Sequence, residues 1–201
     1  QNILFSLNYT TGKENYTPGN IQVNNLGPQM APISSRKFRQ WIHAKFSYEN
    51  YILKTKNYTL GYLTEVVAST QPLYSNYYAT LIAAPAVYPL QDSRSNFLEN
   101  FRAFNYAAGG VKNIFNIQRK LDFRAEGYVF LPYQEFKKNG PQGVGFEKAL
   151  STWHYAGTAG LVYQSPLGPI SLSYNLYDEE RRKHGVLLHI GYLIYNKRSL
   201  E

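Results

Sequence analysis

The chain has 201 residues, a mass of 23.1 kDa, no cysteine and a mean hydropathy of −0.40. Its densest apolar stretch, residues 81–90, contains two prolines and is far shorter than the roughly 18 residues that a transmembrane helix needs, which excludes a helical membrane protein. The net charge of +8 is dispersed between the predicted strands, apart from residues 181–183, and this scatter argues against a nucleic-acid partner.

Apolar and polar residues alternate with a period of two along most of the chain, which predicts β-strands. The first segment has apolar residues at its odd positions, namely Ile3, Phe5, Leu7 and Tyr9. Within residues 41–54, and again within residues 121–129, charged side chains recur on the face opposite the apolar one. The strands therefore have one apolar and one polar face.

The length of the strands favours one of two interpretations of this pattern. In a soluble sandwich the polar face is solvated, whereas in an outer-membrane barrel it lines the lumen and the apolar face meets lipid. Segments such as 41–54, 58–69 and 153–164 match the roughly 9–11 residues of a tilted membrane strand, while sandwich strands have about five or six. The 19 tyrosines also suit a barrel, which places aromatic rings at both lipid–water boundaries.

We therefore predict an all-β fold: an antiparallel transmembrane β-barrel domain over residues 1–201, with about eight to ten strands in this chain. The last two predicted strands provide its clearest lipid-facing residues, which are Ile170, Leu172, Tyr174, Leu176, Leu188, Ile190, Tyr192 and Ile194. Residues 89–110 lack clean alternation and are too long for a hairpin turn. They are predicted to form a long loop inserted into the lumen.

Three short motifs resemble the outer-membrane assembly and two-partner-secretion barrels, the bacterial surface antigen type. The first is the turn Ser165, Pro166, Leu167, Gly168 and Pro169, which joins two predicted strands. The second is the closing stretch His189-Ile190-Gly191-Tyr192. The third is the loop motif Phe101, Arg102, Ala103 and Phe104, with Ala103 where that superfamily usually has glycine.

Within that superfamily, residues 97–102, 107–111 and 124–132 look most like the C-terminal barrel of patatin-like phospholipase autotransporters. The resemblance implies a barrel of about sixteen strands, of which this chain is the C-terminal part, in the outer membrane of a Gram-negative bacterium. It implies as partners outer-membrane lipid and lipopolysaccharide, an upstream passenger or periplasmic domain, and the barrel assembly machinery during insertion.

The loop motif leads to a specific hypothesis about the lumen. A guanidinium in a confined lumen needs carboxylates to accept its hydrogen bonds, because desolvating an unpaired charge is costly. We expect Arg102 to pair with Asp122 or Glu126, with Glu65 as a further candidate, and so to fix the loop as a plug. The alternative is that Arg102 is a solvated loop residue.

The residues give no sign of catalysis within this segment. The Gly-x-Ser-x-Gly elbow of patatin-like hydrolases is absent, so any hydrolase domain is expected upstream, and this segment is predicted not to be an enzyme. The four histidines lack metal-ligand spacing, so we predict no metal site and no cofactor. His154 near Ser151, and His189 opposite Ser171 and Ser173, are interpreted as ordinary polar residues of the lumen or interface.

The preferred function is anchoring or translocation of an attached or partner domain by the barrel. The alternative is a self-contained small outer-membrane barrel that acts as a pore or a lipid-modifying enzyme. That alternative requires the strand at residues 3–10 to pair with the strand at residues 186–195. A soluble lipocalin-like binder is disfavoured, because apolar residues face outward on nearly every predicted strand.

Overall fold

The structure is a computed structural model, and it describes residues 1–17, 34–140, 143–166, 168–179 and 183–191. Ten strands are present in these ranges: β1 (Asn2–Tyr16), β2 (Ser35–Lys54), β3 (Tyr58–Ser69), β4 (Tyr106–Gln118), β5 (Leu121–Pro132), β6 (Phe136–Asn139), β7 (Gly143–Phe146), β8 (His154–Ser165), β9 (Gly168–Tyr177) and β10 (His184–Ile190). One helix, α1 (Tyr77–Ala83), and a short 3-10 helix (Asp92–Arg94) lie between β3 and β4.

Eight of the strands form one antiparallel sheet in the order β1-β2-β3-β4-β5-β8-β9-β10, and β6 and β7 form a separate hairpin. This confirms the predicted all-β, antiparallel class. The sheet is not closed into a barrel: among the described residues, β1 pairs only with β2 and β10 only with β9. The direct pairing of the first and last strands that the small-barrel alternative requires is therefore not formed by the part of β10 that the structure describes.

The connections of the eight-stranded sheet differ in length between its two ends. At one end, here called the turn end, the strands are joined by residues 55–57, 119–120 and 166–167. At the other, the loop end, the connections are residues 17–34, 70–105, 133–153 and 178–183. Short turns at one end and long loops at the other are the arrangement of outer-membrane barrels.

The register of the strands sorts the side chains onto two faces. The outer face carries the apolar residues of the alternating segments, including Phe5, Val111, Leu161 and Leu188. Their exposure ranges from 45% for Leu161 to 68% for Phe5. Among the described residues of the sheet, the only Asp, Glu, Lys or Arg side chains on this face are Lys13 and Arg36, close to the loop end. Within the described part of the chain, no second layer covers these apolar side chains.

The predicted lipid-facing residues lie on this outer face as far as the structure describes them. Leu172 and Tyr174 are about half exposed, Leu188 and Ile190 are more than 60% exposed, and the neighbouring Ile170 and Leu176 are partly buried. Tyr192 and Ile194 lie outside the described residues. Contact of this face with lipid stays a prediction. Among the residues that the structure describes, no second sheet packs against it.

The inner face is covered at its loop end by the connection between β3 and β4, residues 70–105, here called the covering segment. The predicted bounds of this loop, residues 89–110, are wrong at both ends. The connection begins at residue 70, and residues 106–110 belong to β4. The small residues Ala107 to Gly110 hid the alternation of β4. Gly110 is required there, because the ring of Tyr128 lies directly against it and leaves no room for a Cβ atom.

The helix of the covering segment is held at its start by Asn76, whose side chain accepts a hydrogen bond from the backbone N–H of Ala79 at 2.7 Å. Thr80 and Leu81 are the buried residues of α1. No helix within the described ranges has the length and apolar content needed to cross a membrane.

Candidate functional site: the inner face and its covering segment

The covering segment packs onto the sheet through a cluster of buried apolar side chains. The covering segment contributes Val87, Leu90, Leu98, Phe101 and Ala103. The sheet contributes residues that include Val67, Tyr106, Tyr128, Phe130 and Tyr177. Phe101 is completely buried, with ring centroids 5.8 Å from Phe130 and 6.2 Å from Tyr177. Burying one such side chain stabilises the packed state by about 1.5–3 kcal/mol, so the segment is a fixed part of the fold.

Backbone pairing fixes the two ends of the Phe101 region against the earlier part of the segment. The N–H of Val87 donates to the carbonyl oxygen of Phe101 at 3.1 Å, and the N–H of Ala103 donates to that of Pro85 at 3.3 Å. Near β4, the side chain of Asn105 accepts a hydrogen bond from the N–H of Ser69 at 2.7 Å. The predicted loop motif therefore lies in the interior, with Phe101, Ala103 and Phe104 all buried.

Beside the covering segment, the first three strands carry ion pairs on the inner face. Arg39 pairs with Glu14 at 2.7 Å, and the same carboxylate accepts a hydrogen bond from the N–H of Ser75 at 2.6 Å. Lys45 pairs with Glu65 at 3.0 Å, and Glu65 also accepts a hydrogen bond from the hydroxyl of a buried tyrosine on β4 at 2.7 Å. These charges are satisfied although they are shielded from water.

Polar contacts continue across the middle of the inner face. Lys112 pairs with Glu49 at 2.5 Å, so β4 is joined to β2 across the intervening strand. The hydroxyl of Tyr128 donates to Glu126 at 2.6 Å. Farther toward β10, a cavity of about 270 Å³ is lined by polar residues that include Arg124, Ser171 and His189. The inner face thus combines an apolar patch under the covering segment with a polar strip beside it.

The predicted ion pairs of Arg102 are not formed. Its guanidinium donates to the carbonyl oxygens of Ile82 and Ala84 at 3.3 Å each and lies 4.4 Å from the ring centroid of Phe97. It therefore binds the end of α1, within the covering segment itself, and is not the solvated residue of the alternative.

The three carboxylates proposed as its partners are engaged elsewhere. Glu65 binds Lys45, and Glu126 accepts from Tyr128, as described above. Asp122 is 3.9 Å from Arg124 on its own strand. The prediction of these partners was wrong because sequence fixes the face of a strand residue but not the depth that a loop reaches.

A histidine at the start of β8 joins two of the connections at the loop end. Nδ1 of His154 is 2.9 Å from a carboxylate oxygen of Asp178, and Nε2 forms a short hydrogen bond with Glu135. Because both ring nitrogens face carboxylates, this arrangement is satisfied by the doubly protonated imidazolium. The hydrogen bond from His154 holds the pKa of the Glu135 carboxyl below its ordinary value.

The tip of the covering segment is bound to the same loop as Asp178. The backbone N–H of Asn100 donates to the carboxylate of Glu179 at 2.8 Å, and its side-chain amide donates to the carbonyl oxygen of Asp178 at 2.8 Å. The hydroxyl of Tyr177 also forms a short hydrogen bond with Asp92. Burial raises the pKa of Glu179 above its ordinary value.

The two serine–histidine pairs considered in the sequence have different surroundings. The hydroxyl of Ser151 donates to the carbonyl oxygen of Lys148 at 2.9 Å, while His154 binds carboxylates. His189 is the register partner of Ser171, which places the pair beside the polar cavity. Within the described ranges, no group of three or more His, Asp or Glu side chains is arranged to hold a metal ion.

The turn motif lies at the turn end, as its predicted position between two strands requires. Ser165 and Gly168 are register partners, and the Ser165 hydroxyl donates to the Gly168 carbonyl oxygen at 2.5 Å. Gly168 has a φ of 117°, a conformation that favours glycine. The carbonyl oxygen of Pro169 accepts a hydrogen bond from Gly191 at 2.9 Å. Pro166 precedes Leu167, which lies outside the described residues.

No family model, curated protein or solved structure matches this chain. Sequence reasoning missed the contacts made by Glu135, Asp178 and Glu179. These carboxylates lie in loops beyond the ends of strands, where a period-two pattern gives no information.

Proposed function

We propose that this chain is part of an outer-membrane β-barrel that anchors an attached or partner domain and mediates its passage. The observation that carries the proposal is the inverted polarity of the sheet. Its apolar outer face is bare, whereas its charged inner face is shielded and satisfied by ion pairs. In water this distribution is unfavourable, but in a bilayer lipid covers the outer face and the lumen accommodates the polar one.

The lengths of the strands and connections support the same proposal. The strands β3, β4, β5, β8 and β9 have 10–13 residues, enough for tilted strands to cross the hydrocarbon layer. In the described part of the chain, β1 and β10 each have one edge without a partner strand. Such edges are incompatible with lipid, where backbone groups need partners. We infer that further strands complete the barrel, and eight is half of the sixteen that the resemblance implies.

In this proposal the covering segment lies in the lumen and restricts it. Its apolar contacts and the hydrogen bonds of Asn100 fix it to the wall, so passage of a domain or linker requires part of it to move. The resemblance to patatin-like phospholipase autotransporters makes an upstream lipid-hydrolysing domain the proposed passenger. The segment described here then supplies the membrane anchor and not the chemistry.

Fractionation of a Gram-negative host tests the anchoring function. The full-length protein that contains this chain is expressed with its own export signal, and the membranes are separated by density. We expect it in the outer-membrane fraction, resistant to extraction by alkaline carbonate, with the attached domain accessible to protease on intact cells. Recovery in a soluble fraction contradicts anchoring. Recovery in the outer-membrane fraction with the attached domain inaccessible to protease on intact cells contradicts passage.

A further inference from the structure

Two neighbouring turns at the turn end carry a group of cationic side chains. Lys54 is the last residue of β2, and Lys56 lies in the connection between β2 and β3. Arg119 and Lys120 form the connection between β4 and β5. All four are exposed, and no described carboxylate lies within ion-pair distance of any of them. These four residues are here called the basic turns.

Hydrogen bonds hold the two turns next to each other. The backbone N–H of Asn116 donates to the carbonyl oxygen of Asn57 at 2.9 Å, and its side-chain amide donates to that of Lys56 at 2.9 Å. On the other side, the N–H of Gln164 donates to the carbonyl oxygen of Lys120 at 2.8 Å. The backbones that carry the four charges are therefore fixed, and the like charges do not separate by opening a turn.

A row of aromatic rings lies directly below the basic turns on the outer face. The ring centroids of Tyr58 and Phe115 are 4.9 Å apart, and those of Phe115 and Phe123 are 6.0 Å apart. The row thus spans three neighbouring strands. Aromatic rings of this kind lie at the level of lipid headgroups, which would place the basic turns level with the phosphates.

We infer that the basic turns and this aromatic row bind anionic phospholipid headgroups in the leaflet at the turn end. The inference rests on the proposed function, because it requires the outer face to be in lipid. Its ligand class follows from the chemistry: exposed ammonium and guanidinium groups without internal carboxylates attract phosphates, and the rings beneath them contact the glycerol and upper acyl region. The third turn, at residues 166–167, carries no charge, so the site is local to β2–β5.

The test uses a fluorescent reporter in the aromatic row. Trp41 and Trp153 are changed to Phe, as is any tryptophan of the full-length protein outside this chain. Phe115→Trp then places the reporter on the outer face, at a position where the native phenylalanine is 42% exposed. The full-length protein is reconstituted in phosphatidylcholine bilayers that contain brominated phosphatidylglycerol or brominated phosphatidylcholine. Quenching by the two lipids gives the preference of the site for the anionic headgroup.

The expected preference for phosphatidylglycerol is about fivefold or more, since each cation near an anionic surface contributes about that factor. In the variant with Lys54→Gln, Lys56→Gln, Arg119→Gln and Lys120→Gln, the preference should fall to within about twofold of unity. Raising the salt concentration from about 10 mM to about 0.5 M should weaken it without any substitution, which keeps the test valid if the variant folds poorly.

A matched control removes the same number of charges at the loop end. Its substitutions are Lys13→Gln, Arg36→Gln, Lys138→Gln and Lys148→Gln, all at exposed positions, and it should retain the preference at Phe115→Trp. The inference is overturned if both lipids quench the tryptophan at position 115 equally in the protein with unsubstituted basic turns. It is also overturned if the control loses the preference for phosphatidylglycerol as fully as the variant of the basic turns does. In both cases the proposed function stands. Absence of quenching by either lipid overturns the proposed function itself.

Discussion

An arginine on the outer face should destabilise this protein in a bilayer far more than it would in water. Val111 is suited to the test because it lies near the middle of β4, is 50% exposed, and has Tyr62 and Gly127 as its register partners. No ion pair or hydrogen bond of its side chain is lost on substitution. The change therefore measures the solvent that contacts this face.

The magnitude follows from that position. For Val111→Arg, transfer of the guanidinium to the lipid face near the bilayer centre costs about 2–4 kcal/mol in the free energy of unfolding. If water covers the face, replacing a half-exposed valine changes the stability by only about 0.5 kcal/mol in either direction. The two environments thus differ by more than the usual error of a denaturant titration.

The assay is reversible urea unfolding in phosphatidylcholine bilayers, monitored by the circular dichroism of the sheet. Ser171→Arg is the control, because Ser171 is on the inner face and lines the polar cavity of about 270 Å³, which has room for the longer side chain. It should change the free energy of unfolding by less than about 1 kcal/mol. Equal effects of the two arginines, or a negligible effect of Val111→Arg, would refute the reasoning.

Three further predictions concern the inner face and its loops. Gly110→Ala should destabilise the fold by about 1–3 kcal/mol in denaturant titrations, because it displaces the ring against it, whereas Gly127→Ala, with open space around its Cβ, should change it by less than about 0.5 kcal/mol. Glu135→Gln should lose stability at pH 7, and this loss should disappear as the pH falls through the folded-state pKa of Glu135, which is lowered. Glu179→Gln should gain stability at pH 7 and lose that gain in acid, since the pKa of Glu179 is raised in the folded state. Identical pH profiles for the two variants would contradict both assignments. Arg102→Ala should cost on the order of 1 kcal/mol and speed hydrogen exchange in α1, and unchanged exchange there would show that the guanidinium does not hold the helix.

The alternation of residues was sufficient to predict the strands and their faces. Ile3, Phe5, Leu7 and Tyr9, for example, lie on the exposed face of β1. The charged residues of β5, and those of β2 apart from Arg36, lie on the opposite face. This works because the direction of a side chain in a strand depends only on the parity of its position. The same rule fails where small residues remove the contrast, as at residues 107–110 of β4.

The contacts of the covering segment could not be predicted in this way. Arg102 was expected to pair with carboxylates on the strands, but its acceptors are backbone carbonyl oxygens at the end of α1. The link from His154 to Glu135 and Asp178 joins loops distant in sequence. Such contacts depend on the path of the chain between strands, which period and composition do not determine.

Two adjacent residues of β9 provide the most direct test of the account. Leu172 is on the bare outer face and Ser173 on the inner face, and the chain has no cysteine of its own, so Leu172→Cys and Ser173→Cys each give one spin-labelling site. In bilayers, collision rates with oxygen, which concentrates in lipid, and with a water-soluble nickel complex should be opposite for the two labels. We predict high oxygen access at residue 172 and higher nickel access at residue 173. Nickel access that exceeds oxygen access at residue 172 would contradict the contact of the outer face with lipid.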